Sequence, residues 1–227
     1  VVGLLVSGLG CGQALAARGD RTIVARSVDG RVIRAVELGR PGARLPVLIV
    51  GCIHGDECAG EAVIAALAAR PGRPPADLWV VASLNPDGAA RGTRGNARGV
   101  DLNRNLPFRW RPGTPGTGEY PGPRPLSEPE SRFAYRLIRT LRPRITIWFH
   151  QSLALVDESG GNVRIERRFA RLVGLPLRRL ARYNGSVATW QNHAYPASTA
   201  FVVELPAGQL TRAAARRYAA AIMALVA

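Results

Sequence analysis

"LPVLIVGCIHGDECAGE", residues 45–61, decides how the rest of the chain is read. Its first part is a continuous apolar run. That is the pattern of a strand covered on both faces, as in parallel sheets with helices on each side. His54 stands at the end of the run and Glu57 three residues later, with glycines around them and Asp56 between. The chain has three histidines in all. Placing one beside a carboxylate at the end of a buried strand is costly unless the pair has work to do. Residues 60–70 then read as a helix, with Ala62, Val63, Ala66 and Leu67 on one face.

Working outward, the same signal recurs. "DLWVVASLNPDG" (77–88) reads as a buried strand closed by a turn at Pro86-Asp87-Gly88. "RITIWFHQSL" (144–153) and "STAFVVELP" (198–206) read as two more, the last ended by Pro206. "RTIVARSVDGRVIRAVELG" (21–39) alternates apolar and polar residues around Asp29-Gly30, a two-residue hairpin signal. Helices are expected from Ser127, by a Ser-x-x-Glu capping box with Glu130, up to Pro143. Two more are expected over 162–174, stopped by Gly174, and over 211–227. Strands alternating with helices predict an α/β fold, a three-layer α/β/α arrangement whose mixed, mostly parallel sheet is flanked by helices. One domain is expected over 18–227. The stretch 89–125, rich in Gly, Pro and Arg, is too long to be an idle connection.

Bulk composition narrows the classes. The 227 residues carry a formal net charge of +15, and all 31 basic residues are arginine. The arginines are scattered, with pairs such as Arg167-Arg168 and Arg178-Arg179 but no long basic run. A solvated basic surface is therefore read, with no nucleic-acid partner. Val1–Ala17 is uncharged, too short and too glycine-rich to form a stable membrane span, and ends in Ala14-Leu15-Ala16. It is read as the remnant of a secretory signal, so an exported protein is expected, secreted, periplasmic or attached to the cell envelope. A cytoplasmic protein is the alternative. Cys52 and Cys58 are read as buried packing thiols, a bridge or a metal role being the lesser alternative, because three cysteines make no disulfide scaffold.

His54 ends one buried strand, His150 ends another, and Glu204 stands at the end of a third. In open α/β sheets the ligand crevice lies at the carboxyl ends of the strands, so the three converge on one edge. Two neutral imidazoles and a carboxylate, Glu57, are protein ligands suited to a catalytic zinc with an open fourth position. Glu204 is then the base that takes a proton from water.

The sequence resembles a known family at these residues. "HGDE" (54–57), "NPDG" (85–88), "RGNARGVDLNRN" (94–105), "FH" (149–150) and "VVELP" (202–206) are similar to the zinc carboxypeptidases of the carboxypeptidase A superfamily. Within it the wording is most similar to the compact bacterial murein peptide amidase branch, including a Gly-Ser-x-x-x-Trp stretch at Gly185–Trp190. Carboxypeptidase A is itself a His₂Glu zinc enzyme. The resemblance implies one Zn²⁺ per chain on His54, Glu57 and His150, with Glu204 as general base. It further implies that Arg94 steadies the oxyanion, and that Asn103 and Arg104 hold the terminal carboxylate of a short peptide. Tyr183 falls roughly where the family has a tyrosine that covers the substrate.

The implied reaction is hydrolysis next to a C-terminal residue, in this branch at the γ-D-glutamyl–diaminopimelate bond of murein peptides. General carboxypeptidase action, a deacylase of the aspartoacylase or succinylglutamate desuccinylase type, and an inactive wall-peptide-binding domain are the alternatives. Asp56 departs from the digestive members, which have arginine there. It is read as a partner for a substrate ammonium or as a support for His54. His193 is read as a surface or loop residue.

Overall fold

The structure, a computed structural model, describes residues 21–227, so the reading of Val1–Ala17 lies outside it. Among the described residues seven strands form one sheet. They are β1 (Thr22–Arg26), β2 (Val32–Glu37), β3 (Pro46–Val50), β4 (Asp77–Val81), β5 (Ile145–Asp157), β6 (Leu177–Arg178) and β7 (Thr199–Pro206). The order is β1-β2-β4-β3-β5-β6, with β7 also paired to β5. β1, β2 and β4 pair antiparallel, and the β4-β3-β5-β7 core is parallel. Six helices accompany the sheet among the described residues: α1 (Gly60–Ala68), α2 (Pro86–Arg91), α3 (Pro129–Leu141), α4 (Val163–Val173), α5 (Val187–Ala194) and α6 (Arg212–Val226). No helix among the described residues is long and apolar enough to cross a membrane.

The uninterrupted apolar runs resolve into two cores because side chains alternate across a sheet. Val47, Ile49, Ile147, Phe149 and Phe201 face one side, against Val63 and Ile64 of α1, Phe169 of α4 and Tyr218 of α6. Leu48, Val50, Trp148 and Trp79 face the other, against Phe133 and Leu137 of α3 and Trp190 of α5. The result is the predicted three-layer arrangement. Gly60 lets α1 pack on the sheet, since a Cβ there would meet Phe149 Cβ at 2.6 Å and Gly51 O at 2.3 Å.

Three local expectations change. Residues 86–88 do not form a simple turn. Pro86 begins the short helix α2, capped by Asn85 Oδ1, which accepts from Gly88 N at 2.9 Å. Asp29-Gly30 is not a two-residue hairpin turn; Ser27 N donates to Arg31 O across residues 28–30. The cause is tertiary: the buried Asp87 carboxylate accepts from Ser27 Oγ, Asp29 N and Arg31 Nη1 and shapes this loop. The Ser127–Glu130 capping box does not form either. Helix α3 starts at Pro129, after Glu128 at the cap position. Glu130 is buried and accepts instead from Val28 N and Asn96 Nδ2, and Ser127 Oγ donates to Glu128.

Candidate metal centre and cleft

The parallel strands place the chemistry, although His150 does not end its strand as expected, because β5 continues to Asp157. His54 lies four residues beyond β3, and Glu57 follows just before α1. His150 sits inside the long β5, and its Cα partner in the parallel β5–β7 register is Glu204. One ligand atom from each of His54, Glu57 and His150 lies within 4.8 Å of the others. His150 Nδ1 is 2.8 Å from Glu57 Oε2, and His54 Nδ1 is 3.1 Å from the same oxygen. The second contact lacks hydrogen-bond geometry, so His54 Nδ1 is a buried nitrogen without a hydrogen-bond partner. Buried polar atoms are seldom left so. Two imidazoles, a carboxylate and an orphaned ring nitrogen suit a zinc ion.

The stretch 89–125 supplies the opposite wall, and one residue organises it. Asp101 is fully buried and caps a 3₁₀ turn over Leu102–Arg104, accepting from Asn103 N at 2.8 Å. Its Oδ1 also lies 3.0 Å from His54 Nε2, and its Oδ2 accepts from Arg94 Nε at 3.0 Å. A carboxylate on the far nitrogen orients a metal-binding histidine and fixes its tautomer. Arg94 Nη1 donates to Glu57 Oε1 at 2.8 Å. Asn103 Oδ1 accepts from Val187 N at 3.0 Å, which turns Nδ2 toward His150 at 3.5 Å.

The electrostatics follow from this crowding. Burial disfavours a charged His54, but Asp101 and then Glu57 outweigh it, and its pKa moves up. Burial likewise opposes charge on Glu57 and Asp101, yet the neighbouring histidines hold Glu57, and His54 and Arg94 hold Asp101, well below the usual carboxylate range. His150 moves down, chiefly through burial. Glu204 is pushed up to about 7 by burial and by the charge of Glu57. One of its oxygens is buried without a partner.

Of the residues anticipated from sequence, His54, Glu57, Arg94, Asn103, Arg104, His150, Tyr183 and Glu204 line one cleft of about 380 Å³. Arg104 Nη2 donates to Glu119 at 2.7 Å, and its guanidinium lies 3.9 Å from the Tyr183 ring centre. Asp56 is not in this cleft. It is exposed and lines a neighbouring depression with Gly92 and Gln209, acting on the site through its charge on Arg94. His193 is exposed on α5 and stacks on Phe108. Cys52 and Cys58 are not free packing thiols: they form a disulfide that closes the turn holding His54 and Glu57. Their spacing about the His-x-x-Glu pair was the available signal.

Two further residues of the site were missed. Asp101 lies inside the quoted "GVDLNRN", where an Asp two residues before an Asn reads as a local cap. Gln151, next to His150, donates its N–H to Glu57 Oε2 at 3.2 Å, and its Oε1 accepts from Ala59 N at 2.9 Å. Its peptide bond to Ser152 is cis.

Comparison with known proteins agrees with this geometry. Residues 75–157 match the zinc carboxypeptidase family. Murein peptide amidase A of Vibrio campbellii is 34% identical over 162 residues, and that of Escherichia coli K12 is 33% identical. The alignment with the first covers 64% of this chain and 64% of that protein. The crystal structure of the murein-tripeptide amidase MpaA of Escherichia coli O157 superposes with a TM-score of 0.72 at 27% identity, over 90% of this chain and 91% of that one. The carboxypeptidase A of Helicoverpa armigera shares the fold, with a TM-score of 0.73 at 17% identity over 93% and 68% of the two chains. The chain is thus similar to the zinc carboxypeptidases, with the family match confined to residues 75–157 and an alignment that spans 64% of the length of the murein peptide amidases it matches.

Proposed function

We propose that this chain is a zinc-dependent peptidase that hydrolyses the bond before the C-terminal residue of short peptides, with murein peptides as its natural substrates. The observation that carries the reading is the register of His150 with Glu204. It sets a carboxylate with a pKa near 7 beside a His₂Glu group, in a cleft that also holds Arg94, Asn103 and Arg104. The relatives named murein peptide amidase support the substrate class, and the γ-D-glutamyl–diaminopimelate bond is the proposed point of cleavage.

His54, Glu57 and His150 would hold the ion. When bound, zinc supplies Lewis acidity that polarises the scissile carbonyl and makes water acidic near neutral pH. Glu204 takes the proton from that water and delivers it to the leaving amine; a base with a pKa near the working pH suits both transfers. Arg94, fixed by Asp101 and Glu57, presents its remaining N–H groups to the developing oxyanion. Arg104 and Asn103 Nδ2 bind the terminal carboxylate, the guanidinium offering two parallel donors. Tyr183, half-exposed over Arg104, covers the bound residue.

Export belongs to the same proposal and rests on the uncharged run Val1–Ala17. N-terminal sequencing of the native protein tests it, and an intact leader on cytoplasmic protein overturns it. For the activity, zinc content and the hydrolysis of a matched free-acid and C-terminal amide peptide pair are measured. The expected result is one zinc per chain and cleavage of the free acid only. Equal cleavage of both peptides overturns the exopeptidase reading, and release of acyl groups from acyl-amino acids in preference to peptides points to a deacylase.

A further inference from the structure

Three arginines line the cleft, and the proposed reaction employs two of them. The third is Arg182, which lies between β6 and Tyr183. It is not a loose surface side chain. Its Nη1 donates to Asp157 Oδ2 at 3.0 Å and to Leu180 O at 3.4 Å, and its Nη2 donates to Glu158 O. Asp157, at the end of β5, is 5% exposed and is itself saturated, accepting from Leu180 N at 2.8 Å and from Ser159 Oγ at 2.6 Å. The carboxylate therefore has little left to offer a substrate cation. Arg182 does: its side chain is 26% exposed, and its Nε has no protein partner among the described residues.

A largely buried ion pair is a costly way to build a wall, because both charges lose water and an apolar pair of similar volume stabilises as well or better. What the pair achieves here is a guanidinium immobilised before any ligand arrives, so that little rotamer freedom is lost on binding. The cleft lining also includes the small residues Ser186, Ala188 and Thr189, two of which carry hydroxyls. Such a wall suits a polar side chain better than an aromatic one.

The geometry points to Arg182 as a specificity-determining residue that receives a second carboxylate, carried on the side chain of the substrate's C-terminal residue. This rests on the peptidase reading above, with Arg104 taking the terminal carboxylate. The ligand chemistry is a dicarboxylic C-terminal residue. Two sources share it: a plain acidic residue such as glutamate, and a diamino diacid such as diaminopimelate, whose distal end carries an ammonium as well.

The test is a set of otherwise identical peptides ending in Glu, Gln, Leu, Lys or meso-diaminopimelate, assayed with the zinc-loaded enzyme. Glu and Gln differ by one charge at nearly constant shape. The wild type is expected to favour an acidic terminus over Gln by about 10- to 100-fold in kcat/KM, the scale of one charge-assisted contact. If the diaminopimelate peptide alone shows the advantage, the distal carboxylate is read together with its ammonium; if Glu shows it too, the carboxylate suffices. Arg182→Gln should bring the acidic and neutral peptides to within about two-fold of one another by the same logic. A merely structural Arg182 would lower all five rates together and leave the ratio intact, which overturns the assignment. The wild-type ratio needs no variant, so a misfolded Arg182→Gln does not shield the idea. Leu, Gln, Glu and diaminopimelate peptides all cleaved alike would sink this assignment while leaving the peptidase reading standing. No cleavage of any free-acid peptide would remove both.

Discussion

His54 Nε2 lies 3.0 Å from Asp101 Oδ1, although the two residues are 47 positions apart in the chain. The same carboxylate grips Arg94 Nε and caps the turn that carries Asn103 and Arg104. One buried side chain thus sets His54, Arg94 and the turn that carries Asn103 and Arg104 relative to one another. Asp101→Asn keeps the shape and removes the charge that fixes the His54 tautomer. Zinc affinity should fall by about 10- to 100-fold, the usual effect of losing such a partner. Chelator competition measures it, and an unchanged affinity would confine Asp101 to folding the loop.

Glu204→Gln separates chemistry from binding. The substitution is nearly isosteric, and Glu204 is outside the His₂Glu group, so the protein should fold and keep its zinc. Turnover should drop by about 10² to 10⁴, the contribution of a positioned base, with little change in the affinity for a peptide inhibitor. A mutant that retains full turnover would show that another group moves the proton.

Arg104 is engaged by a carboxylate of the protein itself. Glu119, with a side chain 59% exposed, bonds Arg104 Nη2 where a substrate carboxylate would bind. Arg104→Ala should raise KM strongly for free-acid peptides. Glu119→Gln should act in the opposite direction and lower KM, by up to about five-fold, because exposed ion pairs contribute roughly 0–1 kcal/mol. Steady-state kinetics on the two variants decides this; a KM raised by Glu119→Gln would instead make Glu119 a support for Arg104.

The Cys52–Cys58 disulfide closes a short loop that contains both His54 and Glu57. Closing a loop of that size reduces chain entropy by an amount worth about 2 kcal/mol. Cys52→Ser together with Cys58→Ser should therefore lower the melting temperature and weaken zinc binding, with turnover of the zinc-saturated enzyme largely retained. Thermal unfolding with and without added zinc checks both. An unaltered zinc affinity would show that packing alone holds the turn.

Glu166 gives a pH signature away from the cleft. It is fully buried on α4, and burial pushes its carboxyl up to about 7, aided by Asp157 and Glu158 and opposed by backbone N–H groups of Gly161 and Ser159. A carboxyl raised from its ordinary 4.5 favours the folded state most when protonated in both states. Its contribution is therefore full below about pH 4.5, declines as the pH rises to about 7, and is flat above that. Glu166→Gln stays neutral throughout. The stability difference between wild type and this variant should fall between pH 5 and 7 in denaturant titrations, and a difference independent of pH would contradict the raised value.

The four central strands were legible because each is a short apolar run that must be covered on both sides, and β3, β4, β5 and β7 stand where those runs lie. His54, Glu57, His150 and Glu204 were legible for a related reason: polar residues at the ends of such runs have few other uses. Local turn chemistry was less reliable. Ser127 and Glu130 have the spacing of a capping box, and Asp29-Gly30 that of a tight hairpin, yet Glu130 accepts from the distant Val28 N, Ser127 Oγ from Asn105 Nδ2, and Asp29 N donates to the buried Asp87. A local hydrogen bond and a tertiary one are similar in strength, so the better-buried set prevails.

The sequence by itself determined the layered α/β architecture, the His₂Glu donor set and the placing of Glu204 at the apolar run beside it, since periodicity and residue type act over a few neighbouring positions. Only the tertiary structure decided what those groups touch. It joined Cys52 to Cys58, set Asp101 behind His54, moved Asp56 out of the cleft and brought Arg182 into it. These outcomes depend on which loops the strand order β4-β3-β5 brings to one edge of the sheet. Contacts between residues dozens of positions apart leave no period or spacing to read, because they are fixed by packing and burial across the whole domain rather than by the chain's local geometry.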